Sequence, residues 1–214
     1  MDNYLYIANI NILDKENDYN RAYSLLSSVR KEKTDKYKFD KDKKLSILTE
    51  ILLKKALSDL KINSNFEYRF NENNKPYLDD VNIHFNISHS GEYVIVAISE
   101  NEVGCDIEEV KKIDLKIANK FFYNSEYENI INSSNPLDMF YRYWTLKESF
   151  MKSIGLGLSF GLNNFEINID KQITINQSIN NNNYRFKEID IKGYKCSICL
   201  LNDSDVILKE INSI

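Results

Sequence analysis

The chain has 214 residues, with 28 Lys+Arg against 32 Asp+Glu and a net charge of −4. That length suits one substantial domain or two small lobes with a shared core, and the mild acidic balance argues against a general nucleic-acid binder, which carries a basic surplus. Six glycines and two prolines exclude collagen-like and Pro-rich architectures, and no apolar run approaches the ~18 residues of a spanning helix.

In chain order, residues 4–10 read as a strand, and a basic run from Arg30 to Lys44 follows. A long helix is predicted over 43–60, where Ile47, Leu48, Ile51, Leu52, Leu53, Ala56, Leu57 and Leu60 form a broad apolar face. Strands are predicted over 66–70, 84–88, 93–99 and 103–108. Asp114 is placed to cap a short helix carrying Leu115, Ala118, Phe121 and Phe122. Ser125 with Glu128 resembles a capping box for another turn. A strong helix is predicted over 136–154, with Pro136 in its first turn and Met139, Phe140, Tyr143, Trp144, Phe150, Met151 and Ile154 at three-and-four spacing. Further strands are predicted over 165–169, 172–176, 184–189 and 194–201. The succession is an α+β layout, with two lobes meeting near residues 100–110.

Four clusters can carry chemistry. Asp106 and Glu108 stand two apart on a strand and so share a face. Paired carboxylates repel unless a cation lies between them, and an all-oxygen pair suits magnesium. The polar edge of an ordinary strand fits the same pattern. On the helix over 136–154, Trp144, Glu148 and Lys152 form one stripe. Glu148 would supply a third carboxylate, and Lys147 and Lys152 would suit phosphate oxygens; an exposed ion pair is the plainer reading. The turn Phe85-Asn86-Ile87-Ser88-His89-Ser90-Gly91-Glu92 offers amides, hydroxyls and an imidazole to an anion. The Arg30–Lys44 run, in an otherwise acidic chain, suits either an anionic ligand or a solvated helix face.

The cysteines are odd in number: Cys105, Cys196 and Cys199. A reduced, cytoplasmic setting is expected, and the N-terminus lacks the pattern of a secretory leader. Cys196 and Cys199 lie three apart on a predicted strand and point to opposite faces, so they read as small core residues. His84 and His89 likewise point apart.

Four stretches in this order resemble the 4′-phosphopantetheinyl transferases of the surfactin-type (Sfp-like) class. They are Asn74-Lys75-Pro76-Tyr77, Phe85-Asn86-Ile87-Ser88-His89-Ser90-Gly91, Gly104-Cys105-Asp106-Ile107-Glu108 and Trp144-Thr145-Leu146-Lys147-Glu148-Ser149-Phe150-Met151-Lys152. The resemblance implies a pseudo-twofold α+β fold whose two similar lobes, residues 1–104 and 105–214, share a cleft. It implies a monomer that transfers the phosphopantetheine arm of coenzyme A to a serine of an apo carrier protein, with magnesium, releasing adenosine 3′,5′-bisphosphate. Asp106, Glu108 and Glu148 match the metal ligands. Glu148, Lys152 and His89 are expected at the reaction centre. Arg30, Lys33, Ser46, Lys75, Ser88, His89 and Lys152 match coenzyme contacts, and Lys44 is expected to replace a customary arginine near Leu45-Ser46-Ile47-Leu48-Thr49. The carrier is expected to dock along residues 110–122, where Val110, Leu115, Phe121 and Phe122 accompany Lys111, Lys112, Lys116 and Lys120. A non-catalytic coenzyme A or nucleotide module of the same fold, and a magnesium phosphoesterase, are the alternatives. No nucleic-acid or membrane partner is expected.

Overall fold

The computed structural model describes residues 2–62, 69–73, 75–79, 81–157, 160–201 and 204–214. Strand β1 (Asn3–Asn9) opens the chain, and a 3-10 turn (Ile10–Leu13) follows it, capped by the Asn9 side chain, which accepts from the Asn11 amide. Three helices come next: α1 (Glu16–Ser24), α2 (Ser28–Asp35) and α3 (Asp40–Asp59). The basic run is therefore α2, a connecting turn and the first turn of α3. That helix begins three residues before the predicted start because Asp40 and Asp42 occupy its first turn, where the helix dipole favours acids.

Two short strands, β2 (Arg69–Phe70) and β3 (Pro76–Tyr77), form a hairpin. The predicted strand over 66–70 meets the structure only at β2, since 66–68 lie outside the described residues, as does Asn74. The long strands β4 (His84–Ser90), β5 (Tyr93–Ser99) and β6 (Val103–Glu109) follow. Short helices α4 (Lys116–Phe121) and α5 (Asn124–Ile131) lead into α6 (Pro136–Ile154). The chain ends with β7 (Glu166–Ile169), β8 (Ile173–Asn176), β9 (Arg185–Ile191), β10 (Tyr194–Leu200) and β11 (Val206–Ile211).

The predicted bounds of α6 agree with the structure for local reasons. Asn135 Oδ1 accepts from the Asp138 amide, Pro136 sits in the first turn, and Gly155, at φ 69°, ends the helix with its N–H on the Met151 carbonyl. The capping box at α5 lies two residues earlier than predicted. Glu126 accepts from the Tyr123 amide, whereas the Ser125 hydroxyl turns away to Glu166.

Two sheets stack face to face between helices. One has the order β11-β1-β5-β4, with β1 and β11 parallel; the other has the order β6-β10-β9 and is antiparallel. Alternation along each strand divides the core. Leu5, Ile7, Ile95 and Ala97 meet Val103, Cys105, Ile107, Cys196, Ile198 and Leu200 between the sheets, while Tyr6, Ala8, Val94, Val96 and Ile98 face α3. Burying each leucine of α3, such as Leu48, Leu52, Leu53 and Leu57, contributes about 1.5–3 kcal/mol. On the far side, α6 packs across β6 and β10. All three cysteines are buried thiols; Cys196 lies in the inter-sheet layer and Cys199 in the α6 layer, on opposite faces as predicted. β11, which the sequence reading did not find, brings the end of the described chain back beside β1.

Candidate functional site

The site is built where β6 lies against α6. At Gly104 an added Cβ would sit 1.9 Å from the Ser149 carbonyl oxygen and 2.3 Å from the Ser153 nitrogen. Only a hydrogen fits there, and this close approach brings the strand's Asp106 and Glu108 to the helix's Glu148 and Lys152. Lys152 Nζ donates to Asp106 Oδ1 at 2.6 Å and to Ser88 Oγ at 3.0 Å. Among the described residues, Asp106 Oδ2 and Glu148 Oε1 are buried with no hydrogen-bond partner.

Three carboxylates against one ammonium leave two negative charges uncompensated, and the side chains respond. Glu148, only 8% exposed, has its carboxyl pushed up to about 7, first by burial and then by the Asp106 and Glu108 charges. Burial and Asp106 raise Glu108. Burial is the largest influence on Lys152 and opposes its charge, but Asp106 and Glu148 are among the groups that together outweigh it and hold the ammonium above its ordinary value. An all-oxygen donor set carrying this deficit fits a hard divalent cation such as magnesium, and buried, unpartnered carboxylate oxygens are atoms such an ion would satisfy. As the side chains stand, no ready-made cluster of three ligands closes among the described residues; the Lys152 ammonium takes Asp106 Oδ1 instead.

The two sheets join beside this centre through side chains. Alternate residues of β4 reach alternate amides of β6: Asn86 Oδ1 accepts from Cys105 N at 2.9 Å, Ser88 Oγ from Ile107 N at 3.4 Å and Ser90 Oγ from Glu109 N at 3.1 Å. Both hydroxyls then donate to carboxylates, Ser88 to Asp106 Oδ1 at 2.8 Å and Ser90 to Glu108 Oε2 at 2.7 Å.

On the opposite face of β4, a cavity of about 290 Å³ is lined by Arg30, Lys33, Ser46, Ile87 and His89, with Tyr37, Asp42, Leu45, Thr49, Phe70 and Pro76 completing its wall. Arg30 is fixed from behind by Glu50 at 3.6 Å, a buried carboxylate that also accepts from the Ser27 amide and hydroxyl. Ser46 is held by Thr34 at 2.8 Å. Surrounding protein lowers Lys33, helped by Arg30, and lowers His89, helped by Lys152. A neutral imidazole beside two cations retains an N–H for an anion's oxygen.

The sequence-predicted residues therefore form two groups on either side of β4. Arg30, Lys33, Ser46 and His89 come together in the cationic cavity, and Asp106, Glu108, Glu148, Lys152 and Ser88 in the carboxylate centre. Ser88 does not line the cavity; its hydroxyl serves Asp106, Lys152 and the Ile107 amide, which uses the donor and both acceptor positions. Lys75 also stands apart from the cavity. Its ammonium caps carbonyls of Ser153 at 2.8 Å and Val103 at 3.4 Å, in a cleft of about 280 Å³ that Glu148, Met151 and Lys152 share. Lys44 does not take the place of an arginine, since it turns outward to Asp14 at 2.5 Å.

Lys147 requires a correction. One residue from Glu148, it faces the other way, fully buried, and donates to Glu126 at 2.6 Å and to the Phe165 carbonyl at 2.8 Å. It offers nothing to a phosphate. The sequence reading placed Asn86 and Ser90 in its anion-binding turn without giving them a role toward β6, and it missed Phe70. Asn86 and Ser90 share the alternation of Ser88, a signal present in the sequence, whereas Phe70 gives none before the β2–β3 hairpin sets it, 61% exposed, at the cavity wall. Along residues 110–122, Lys111, Lys112, Lys116 and Lys120 are exposed around exposed Ile113 and Phe121, while Phe122 is buried against Phe140 and Trp144.

Two family models match in succession, "4'-phosphopantetheinyl transferase, N-terminal" over residues 14–101 and "4'-phosphopantetheinyl transferase superfamily" over 102–199. The chain is 40% identical over 189 residues to 4'-phosphopantetheinyl transferase gsp of Aneurinibacillus migulanus, covering 84% of this chain and 79% of that one. It is 33% identical over 187 residues to 4'-phosphopantetheinyl transferase Sfp of Bacillus subtilis strain 168, covering 84% of each. A match of 32% over 168 residues links it to L-aminoadipate-semialdehyde dehydrogenase-phosphopantetheinyl transferase of Rattus norvegicus, covering 69% of this chain and 54% of that one. With both halves matched in order and most of its length shared with two such enzymes, the chain belongs to the Sfp-like 4′-phosphopantetheinyl transferases.

Proposed function

We propose that this enzyme transfers the 4′-phosphopantetheine arm of coenzyme A to a serine hydroxyl of an apo carrier protein, with magnesium bound, and releases adenosine 3′,5′-bisphosphate. The observation that carries this reading is the pairing, across one strand, of an under-compensated carboxylate centre with a cationic cavity. Arg30, Lys33 and His89 would grip the nucleotide phosphate of the coenzyme, and its pyrophosphate would reach the centre past β4. Asp106, Glu108 and Glu148 would hold magnesium, which when bound neutralises charge on the pyrophosphate.

The chain's own groups then have distinct tasks. Glu148, a carboxylate on α6 beside Asp106 and Lys152, is the base that receives the proton of the carrier serine, directly or through a water. Lys152, kept charged by Asp106, donates to the phosphate oxygen where negative charge grows. The exposed lysines of 110–122, grouped about Ile113 and Phe121, complement an acidic, amphipathic carrier surface and speed encounter. Retention of all three carboxylates with Lys152 favours catalysis over a binding-only module, which scarcely needs the full set. Both halves of the site lie in one chain, consistent with a monomer.

The test is the intact mass of an apo peptidyl carrier and an apo acyl carrier after incubation with this protein, coenzyme A and magnesium. A gain of one phosphopantetheine arm, lost on adding a chelator, is the expected result. Unmodified carriers alongside tightly bound coenzyme A would favour the binding module, and coenzyme A cleavage without a carrier would favour a phosphoesterase.

A further inference from the structure

The seam between the sheets repeats one unit twice. A β4 hydroxyl accepts the amide of the residue after a β6 carboxylate and donates to that carboxylate: Ser88 with Ile107 N and Asp106, then Ser90 with Glu109 N and Glu108. The spacing is two residues on each strand, so both units face the same way. In each unit one carboxylate oxygen is tied to β4; the second oxygen of Asp106 is buried and has no hydrogen-bond partner among the described residues.

We propose that Ser90 is a positioning residue for Glu108, fixing the rotation of its carboxylate so that one oxygen stays directed to the metal. The proposal rests on the reading of Asp106, Glu108 and Glu148 as metal ligands. The two hydroxyls hold the strand-borne pair from behind, and Glu148 and Lys152 on α6 are the groups that adjust when the ion enters. One feature favours this over simple edge satisfaction. The Glu109 amide needs only an acceptor, which the Asn86 unit supplies to Cys105 with no carboxylate involved; the hydroxyls appear where a carboxylate must also be held.

The experiment compares the full-length protein with Ser90→Ala and Ser90→Thr, titrating manganese(II) by electron paramagnetic resonance in the absence of coenzyme and magnesium in the carrier-loading assay. Loss of a group that orients a ligand typically weakens metal binding about 10–100-fold. Ser90→Ala should raise both the manganese dissociation constant and the half-saturating magnesium concentration about tenfold, with kcat at saturating magnesium nearly unchanged. Ser90→Thr, which keeps the hydroxyl, should stay near wild type. Unchanged manganese affinity in Ser90→Ala, or equal losses in the Ala and Thr variants, would overturn the proposal. Wild-type protein that loads carriers but binds no manganese without coenzyme would overturn it too, whereas failure of wild type in both assays would instead strike the metal-site reading beneath it.

Discussion

Lys147 and Glu148 are neighbours on α6, yet the charges they bury have opposite characters. Lys147 reaches Glu126 and the Phe165 carbonyl, and Glu126 also accepts from the Ile167 and Tyr123 amides. The Lys147 ammonium further lies 4.3 Å from the Phe165 ring centroid. Every polar atom has a partner there, and the pair joins α5, α6 and β7. Around Glu148 the opposite holds: three carboxylates share one lysine, and two oxygens stay buried without partners among the described residues. A satisfied buried pair holds a fold together, while an unsatisfied one reserves a place for something that comes from solution. One residue step on a helix separates the two because it turns a side chain through about 100°.

The largest expected effect falls on the unsatisfied side. Glu148→Gln should lower kcat for carrier loading about 10³-fold while circular dichroism shows the fold intact; near-normal turnover would remove Glu148 from the chemistry. The satisfied side should break differently. Lys147→Ala leaves Glu126 charged and buried, a loss of about 3–5 kcal/mol in urea titration, while the folded fraction keeps near-normal turnover. A mild stability change there would erase the contrast drawn between the two clusters.

Proton linkage sharpens it. Glu148 binds its proton more tightly folded than unfolded, shifting from 4.5 to about 7. It therefore stabilises the metal-free fold fully below about pH 4.5 and loses that contribution as pH rises through about 7. The metal-free protein should be less stable at pH 8 than at pH 5 by about 3 kcal/mol from this group. Glu148→Gln should flatten that slope and magnesium should offset it; a slope unchanged in Glu148→Gln would assign the effect elsewhere. In the cationic cavity, Lys33→Ala should weaken coenzyme A binding about tenfold by calorimetry, the scale of one charge-assisted hydrogen bond. Smallest of all, Lys120→Glu should raise KM for an acidic carrier about two- to fivefold and leave kcat alone, as for an exposed charge pair.

Much of this was legible beforehand because the relevant signals are local. Strand-like runs gave β5 to the residue and β4 and β6 to within two, and Pro136 with the three-and-four apolar spacing gave α6. The carboxylates and Lys152 could be grouped because residues at i, i+2 and i, i+4 share faces. What escaped depends on partners far along the chain. Lys147 looks like Lys152 until Glu126 and Phe165 fold around it. The Ser88 hydroxyl looks free for a phosphate until β6 arrives beside it. The helices α1 and α2, polar and short, carry too weak a periodicity to stand out, and β11 is recognisable only by the strand it pairs with.

That last pairing bears on how the molecule is made. β1 receives β11 on one side, Asn3 opposite Val206 through Ala8 opposite Ile211, so the sheet of the first half needs a strand translated some two hundred residues later. Domains emerging from a ribosome generally fold in order, but here β1 must wait with one edge unpaired until β11 has been made. Exposed strand edges of that kind recruit foreign strands. A nascent chain stalled short of Val206 should therefore be more prone to aggregation than the finished protein, and the hazard lies in the time spent waiting rather than in the final structure.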